Sequence, residues 1–174
     1  MRRMSKGYFH IYTGNGKGKT TAALGLSMRA ICAGKKVYFG QFVKGMKYSE
    51  TKAVEYLPNF EIHQFGRTCF IEKDPEQEDI DIAKEGLKVC KDILEEGNYD
   101  IIVLDELTIA LYYKLFTVEE VLKMLENRSP EVEVIITGRY APEELIQIAD
   151  LVTEMKEIKH YYQQGVQARK GIES

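Results

Sequence analysis

The chain has 174 residues, of which 44% are hydrophobic and 29% charged, and its formal net charge is −3. This composition is typical of a globular protein and argues against a disordered chain. The absence of a basic excess means that nucleic acid is not an expected partner. The length lies within the range of one folding unit, so we expect residues 1–174 to form a single domain.

The sequence also predicts the compartment. No apolar run approaches the roughly 20 residues that a bilayer-spanning helix needs, and the basic start at residues 1–6 precedes too short an apolar stretch for a signal peptide. We therefore expect a cytoplasmic protein with no membrane partner. Neither a disulfide framework nor a structural metal site is expected, because the cysteines and histidines are widely scattered: Cys32, Cys69, Cys90, His10, His63 and His160.

The chain opens with a predicted strand at residues 8–12, a glycine-rich turn at 13–21 and a helix from Lys19 to Ala33. Alternating glycines can adopt backbone angles closed to other residues, so that NH groups turn toward an anion at the positive end of the helix. The turn therefore predicts a phosphate cradle built on Gly14, Gly16 and Gly18.

Within this turn, Lys19 is expected to meet the phosphates and Thr20 a magnesium ion. The usual pattern, a glycine, four residues and then Gly-Lys-Ser/Thr, would place the first glycine at Thr13. Here the glycine is displaced to Gly14, which shortens the segment that can wrap the phosphates.

Apolar runs and helical spacing predict the middle of the chain. In order, we expect a strand at 37–43, a loop at 44–55 that can become a short helix, and a strand at 60–65. An acidic solvated loop at 72–81 then leads into a helix at about 82–94, which Gly97 and Asn98 stop, and a strand at 101–104 ends in Asp105 and Glu106.

The last part continues the alternation. A capping box at Thr117 and Glu120 predicts a helix to about Asn127. We then expect a strand at 132–136, a turn at 137–139, a helix that begins at Pro142, a strand at 151–155 and a polar tail at 161–174 with no predicted packed element.

Strands that alternate with helices over the whole length predict an α/β protein, a three-layer P-loop fold with a mainly parallel central sheet and helices on both faces. Ligands of such sheets bind beyond the carboxyl ends of the strands. The glycine turn, the acidic pair Asp105 and Glu106, and the turn at 137–139 should meet at that edge.

These residues permit more than one chemistry. In an ATP hydrolase or phosphotransferase, Glu106 could position water and Arg139 could stabilise the developing charge. An enzyme that attacks ATP elsewhere could use Lys19 and magnesium to stabilise a departing polyphosphate. A third reading is a nucleotide-binding switch or adaptor without turnover, whose polar tail orders on a partner.

Six ordered motifs resemble those of the P-loop type of bacterial corrinoid adenosyltransferase, and the resemblance covers nearly the whole chain. The displaced first glycine belongs to that family's pattern. The motifs are GNGKGKTTAA from Gly14, QFVKG from Gln41, LDEL from Leu104, TGRYAP from Thr137, ADLVTEM from Ala149 and ARKGIE from Ala168.

The resemblance implies an enzyme that transfers the 5′-deoxyadenosyl group of ATP to cobalt(I) of a corrinoid and releases triphosphate, in adenosylcobalamin synthesis or salvage. Its substrates would be ATP and a reduced corrinoid, with Mg²⁺ as cofactor. A homodimer and a reductase that supplies cobalt(I) are the expected partners. The nucleophile is the metal of the substrate, so no side chain need be deprotonated.

The resemblance also implies roles for single residues. Lys19, Thr20 and Glu106 would serve catalysis, and Thr20 with Asp105 or Glu106 would serve magnesium. Arg29 is a further candidate phosphate contact, and Arg139 and the Arg169–Lys170 tail are candidates near the nucleotide or the corrinoid. For the three arginines the alternative is a solvated surface charge. The ATP contacts would be Gly14, Asn15, Gly16, Lys17, Gly18, Lys19, Thr20 and Thr21.

One segment departs from the family's pattern. Members carry an aromatic-rich stretch after the strand that corresponds to residues 60–65, where it helps to exclude the lower cobalt ligand. This chain has only Phe70 as an aromatic residue in 66–72. Phe70 is therefore the corrinoid-side candidate, with a packing role in the core or a loop as the alternative.

Overall fold

The computed structural model describes residues 6–46, 48–68, 71 and 74–173. Within them the chain forms six strands and five α-helices. The strands are β1 (Phe9–Thr13), β2 (Val37–Phe42), β3 (Phe60–Phe65), β4 (Ile101–Asp105), β5 (Glu133–Thr137) and β6 (Leu151–Glu154). The helices are α1 (Lys19–Cys32), α2 (Gln77–Glu96), α3 (Leu107–Tyr112), α4 (Val118–Glu126) and α5 (Glu143–Ile148), and 3₁₀ turns lie at Ser49–Glu55 and Tyr161–Gln164.

The strands form one sheet in the order β3-β2-β4-β5-β1-β6, and every pair is parallel. Parallel strands need crossovers, which here are the helices that cover the sheet. The predicted α/β fold with a parallel central sheet is confirmed.

Two hydrophobic clusters lie on opposite faces of the sheet because successive side chains of a strand point to opposite sides. In β4, Ile102 and Leu104 pack with residues of α2, α3, α4 and α5, whereas Ile101 and Val103 pack with residues of α1. The sheet is thus the middle of three layers. One face is covered by α1 and the other by the remaining four helices.

Burial differs sharply between the centre and one edge of the sheet. All five residues of β4 are buried, while all four residues of β6 are exposed. The segments that follow β2 and β4 therefore start from strands that are buried along their whole length. No helix among the described residues is long and apolar enough to cross a bilayer.

Several sequence expectations hold in detail. Thr117 and Glu120 form the capping box of α4, and Gly97 ends α2 in the left-handed conformation with φ 66°. Pro142 is the N-cap of α5. These features depend on local chemistry, which the sequence exposes directly.

Other expectations need correction. The acidic stretch is not a solvated loop throughout, because α2 begins at Gln77 and Asp79 is only 5% exposed. Asp79 caps α2 and pairs with Arg67, a distant partner that sequence spacing does not reveal. Helix α3 was not predicted. The tail forms the 3₁₀ turn Tyr161–Gln164 and returns to the glycine turn, where Lys17 contacts Glu173 at 3.5 Å.

Candidate active site

The glycine turn lies between β1 and α1 at the carboxyl edge of the sheet. Gly14 and Gly18 have φ 99° and 120°, angles that favour glycine. The turn therefore brings Lys19 and Thr20 to the first residues of α1, where backbone NH groups and the helix dipole favour an anion.

Close packing gives a second reason for the glycines. A Cβ at Gly14 would lie 2.3 Å from the carbonyl oxygen of Met155, and one at Gly16 would lie 2.8 Å from the same atom. The NH of Gly16 donates to that oxygen at 2.7 Å. Part of the predicted cradle is therefore bonded to the segment after β6 rather than directed at a ligand.

Lys19 is only 7% exposed, and its ammonium donates to the carbonyl oxygens of Gly14 and Gly16, each at 2.8 Å. Burial lowers the pKa of Lys19, although Glu106 and Asp105 act in the opposite direction. The ammonium is held inside the loop by two uncharged carbonyl oxygens. Its positive charge is therefore not paired with these acceptors and is available to a phosphate.

Asp105 is the centre of a buried hydrogen-bond network at the end of β4. Its side chain is fully buried, and its Oδ1 accepts hydrogen bonds from the hydroxyls of Thr20 at 2.8 Å and Thr137 at 2.6 Å. Its Oδ2 accepts from Lys44 at 2.9 Å and from Gln41 at 3.2 Å. These four donors occupy the four acceptor sites of a carboxylate, so Asp105 orients its neighbours.

Lys44 supplies the positive charge of this network. Burial alone would lower the pKa of Lys44, but attraction and hydrogen bonding to Asp105 outweigh it and raise the pKa. The ammonium also lies 3.5 Å from the hydroxyl of Thr20. A charged lysine therefore links the segment after β2 to the magnesium candidate.

Sequence reasoning assigned no role to Gln41, Lys44 or Thr137 individually. Each belongs to a motif on which the family resemblance depends, and each follows or ends a strand of the sheet. Those motifs were the only signal, because the pairing of these residues with Asp105 spans at least 32 positions.

Glu106 follows directly and has a left-handed backbone, φ 58°, as the N-cap of α3. Its NH donates to the hydroxyl of Thr137 at 3.1 Å. Burial raises the pKa of Glu106, with the charge of Asp105 as the next cause, while Lys44 and Lys19 counteract it. Its carboxylate forms no hydrogen bond or ion pair within the described part of the chain, and it lines the cleft described next.

A cleft of about 460 Å³ opens over the glycine turn. It joins three parts of the chain, the loop and start of α1, the segment after β2, and the far end of the tail. Its lining residues are Lys17, Gly18, Lys19, Thr20, Thr21, Leu24, Lys44, Tyr48, Ser49, Glu50, Glu106, Gly171, Ile172 and Glu173.

A second cleft of about 320 Å³ adjoins the first. The two share Lys19, Lys44, Tyr48 and Glu106. The remainder of the second cleft is mainly apolar and is lined by Val43, Ile71, Ile109, Tyr113 and Arg139.

The structure brings most, but not all, of the predicted residues together. Arg139 is exposed and lines the second cleft beside Lys19. Arg29 lies in the last turn of α1 and lines a separate cleft with Tyr8, so it is not brought to the glycine turn of its own chain. Gly14, Asn15 and Gly16 do not line the cleft over the glycine turn, and Phe70 lies outside the described residues.

Metal-ligating groups are few in the described ranges, where no cluster of three or more histidine, cysteine, aspartate or glutamate side chains could hold a metal ion. A magnesium site here would need hydroxyl and phosphate oxygens in addition to carboxylates. That donor set is the one that Mg²⁺ takes with nucleotides.

Comparison with known proteins identifies the group to which this site belongs. The corrinoid adenosyltransferase of Escherichia coli (strain K12) is 36% identical over 170 residues, which cover 97% of this chain and 86% of that protein. Those of Pseudomonas aeruginosa and Sinorhizobium sp are each 35% identical, covering 98% and 97% of this chain and 85% and 80% of theirs. The family model described as ATP:corrinoid adenosyltransferase BtuR/CobO/CobP matches residues 5–174, and the chain therefore belongs to this family.

Proposed function

We propose that this protein transfers the 5′-deoxyadenosyl group of ATP to cobalt(I) of a corrinoid in the synthesis or salvage of adenosylcobalamin. Cobalt(I) donates an electron pair to C5′ to form the cobalt–carbon bond. The bond between C5′ and its oxygen breaks, triphosphate leaves with that electron pair, and cobalt becomes formally cobalt(III). Atoms and electrons balance without a further oxidant.

The observation that carries this proposal is the pair of adjoining clefts. One has the loop, the lysine and the hydroxyl expected for a polyphosphate, and the other is largely apolar, as suits the edge of a corrin macrocycle. They meet at Lys19 and Glu106, so two substrates bound side by side would have their reacting atoms near the shared residues. Holding both in contact converts a bimolecular encounter into a positioned reaction.

Lys19 and Thr20 are proposed to stabilise the charge of the leaving triphosphate. Lys19 already donates two hydrogen bonds inside the loop, and a phosphate oxygen could replace either carbonyl acceptor. Arg139 adds positive charge where the clefts adjoin. Fixed donors in a partly closed site stabilise developing charge more strongly than water does.

Magnesium fits the residues at this edge. The hydroxyl of Thr20 donates its proton to Asp105 and accepts a long hydrogen bond from Lys44 at 3.5 Å, which leaves one oxygen lone pair available to a cation. All four acceptor sites of Asp105 are occupied, so we propose Glu106 as the acid that faces the ion, directly or through water. When bound, Mg²⁺ would neutralise part of the triphosphate charge.

The corrinoid side of the site is proposed to lie in the second cleft. Ile71, the residue after Phe70, lines it together with Tyr113. This supports Phe70 as a candidate for excluding the lower cobalt ligand. A homodimer, a reductase that supplies cobalt(I) and a cytoplasmic location stay predictions from the resemblance.

An assay of products tests the proposal. With MgATP and chemically reduced cob(I)alamin, in the absence of oxygen, we expect an alkylcobalt spectrum and intact triphosphate. Release of phosphate or ADP without alkylated cobalt would contradict it and favour the hydrolase or phosphotransferase. ATP binding with no turnover of either kind would favour the adaptor.

Substitution of the shared lysine gives a matched comparison. Lys19→Ala removes a preorganised donor and should lower the rate of cobalt alkylation by about 100-fold or more. Lys91→Ala removes an exposed lysine of α2 that pairs with Glu95, and it should leave the rate within about twofold. Equal rates for the two variants would exclude Lys19 from the reaction.

A further inference from the structure

The carboxyl-terminal segment contributes residues to the cleft that lies over the glycine turn. After β6 the chain passes through the turn Tyr161–Gln164, and Gly171, Ile172 and Glu173 then line the same cleft as the glycine loop. Ile172 lies 155 residues beyond Lys17 of the loop in sequence. The family resemblance implied a place near the nucleotide or the corrinoid for Arg169 and Lys170, but gave no role to Gly171, Ile172 and Glu173.

Glu173 forms hydrogen bonds with two other residues of the same carboxyl-terminal segment. Its Oε1 accepts hydrogen bonds from the hydroxyl of Tyr161 and from Arg169 at 3.2 Å, and its Oε2 accepts from the backbone NH of Arg169 at 2.8 Å. The Tyr161 hydrogen bond, followed by those of Arg169, lowers the pKa of Glu173 to about 2. We call Tyr161, Arg169 and Glu173 the clasp. The carboxylate of Glu173 in this clasp is therefore charged throughout the neutral pH range.

Lys17 fastens the same segment to the loop. Its ammonium donates to the carbonyl oxygen of Ile172 at 3.0 Å and lies 3.5 Å from Glu173 Oε1. A loop lysine that could have faced a phosphate is thus directed at the tail. The segment is positioned from both sides, by its own clasp and by the loop.

The clasp leaves an apolar side chain at the cleft wall. Ile172 is 55% exposed although the backbone around it is held by several hydrogen bonds. Leu24 of α1 lines the same cleft. Together with Leu24 and Tyr48, Ile172 gives this cleft an apolar part beside its charged residues, which suits an apolar part of a ligand.

The phosphates and the nucleoside of ATP favour different contacts with the residues of this segment. Phosphates would be repelled by Glu173 and are served by Lys19 and Thr20 at the start of α1. A nucleoside, in contrast, offers flat apolar faces that an isoleucine can cover. We propose that residues 169–173 form a wall of the ATP site in which Ile172 contacts the nucleoside and Glu173 acts as a positioning residue.

This inference rests on the proposed function only in taking ATP as the substrate, and its test contains no corrinoid. Binding of MgATP and of inorganic tripolyphosphate to the full chain is measured by calorimetry. Ile172→Ala should weaken MgATP binding by about tenfold, the equivalent of about 1.4 kcal/mol, and leave tripolyphosphate binding within about twofold. Ile172→Val, which keeps most of the side chain, should bind MgATP within about threefold of the unsubstituted protein.

Glu173→Gln tests the clasp. The amide cannot accept all the hydrogen bonds of the carboxylate, so MgATP binding should again weaken by about tenfold while tripolyphosphate binding does not weaken. Ile158→Ala is the matched control, because Ile158 precedes the clasp, is 88% exposed and lies outside the nucleotide cleft. It should bind both ligands as the unsubstituted protein does.

Three outcomes would overturn the inference. They are unchanged MgATP binding by Ile172→Ala, unchanged binding by Glu173→Gln, or equal weakening of both ligands in either variant. An unsubstituted protein that binds no MgATP would instead contradict the proposed function itself. The two failures are therefore distinguishable.

Discussion

Two carboxylates hold residues that line the cleft over the glycine turn, and their surroundings differ. Asp105 is fully buried and is held by four side chains from other parts of the chain. Glu173 is 17% exposed, and two of its three partners, Tyr161 and Arg169, lie within 12 residues of it. Both carboxylates have their oxygens occupied, yet one is fixed by the whole fold and the other mainly by a local turn.

The difference separates stability from ligand binding. Removing a fully buried carboxylate leaves several partners without their acceptor, which costs far more than the loss of a pair that solvent reaches. We therefore expect substitutions at Asp105 to unfold the protein more readily, and those at Glu173 to act on nucleotide binding alone.

The largest effect should follow Asp105→Ala. It leaves the partly buried ammonium of Lys44 with only the carboxylate of Glu50, at 4.0 Å, and removes the buried acceptor that Thr20 and Thr137 share, so we expect a loss of about 3–5 kcal/mol in the free energy of unfolding. Denaturant titration measures it. Asp100→Ala, at the other end of β4, removes a half-exposed carboxylate and should cost about 1 kcal/mol or less. Equal losses of unfolding free energy in the two variants would contradict the expected difference between a buried and a half-exposed carboxylate.

A smaller loss of unfolding free energy should follow Asp79→Asn. This variant tests whether a buried carboxylate outside the cleft over the glycine turn also stabilises the fold. Asp79 receives two hydrogen bonds from Arg67, at 2.7 and 2.8 Å, and is nearly buried. We expect a loss of about 2 kcal/mol at pH 7, because hydrogen bonds to charged groups contribute about 1.5–3 kcal/mol. MgATP binding should stay unchanged. A selective loss of MgATP affinity would contradict this separation.

The pH dependence of the same variant has a definite sign. The hydrogen bond from Arg67 is the main cause that lowers the pKa of Asp79 below its ordinary 3.8. Its contribution is therefore complete above pH 3.8 and is lost as the pH falls through the lower folded-state pKa. The stability difference between the unsubstituted protein and Asp79→Asn should stay constant from about pH 8 to 5 and shrink below pH 3.8.

The smallest change in stability, and one of opposite sign, should follow Glu106→Gln. Burial raises the pKa of Glu106, so the folded state holds this proton more tightly than the unfolded chain does. Its ionisation therefore opposes folding as the pH rises, and the amide should raise the unfolding temperature slightly at pH 7. Cobalt alkylation should nevertheless fall by at least about tenfold, since the proposed magnesium acid is lost. A lower unfolding temperature or an unchanged rate would contradict these roles.

The features that the sequence predicted well are those that depend on a few consecutive residues. The glycine turn, the acidic pair after β4 and the capping box of α4 are each written within a few consecutive residues. The meeting of Thr20, Asp105 and the turn at 137–139 at one edge was also expected. The pairing of Asp79 with Arg67, and of Asp105 with Gln41 and Lys44, could not be predicted, because each depends on residues that only the fold brings near. Helix α3 was missed since it starts from the left-handed Glu106, which no helix-start signal describes.

The contact between the glycine loop and Met155 also bears on how this site could be exchanged between proteins. The loop needs glycine at two positions because the carbonyl of Met155 lies against them, and Gly16 donates to that same atom. Residues 14–21 transplanted onto another strand and helix would keep their sequence but lose the surface that shapes them. The glycine turn is thus only half of a two-part unit, and the stretch after β6 would have to be transplanted with it.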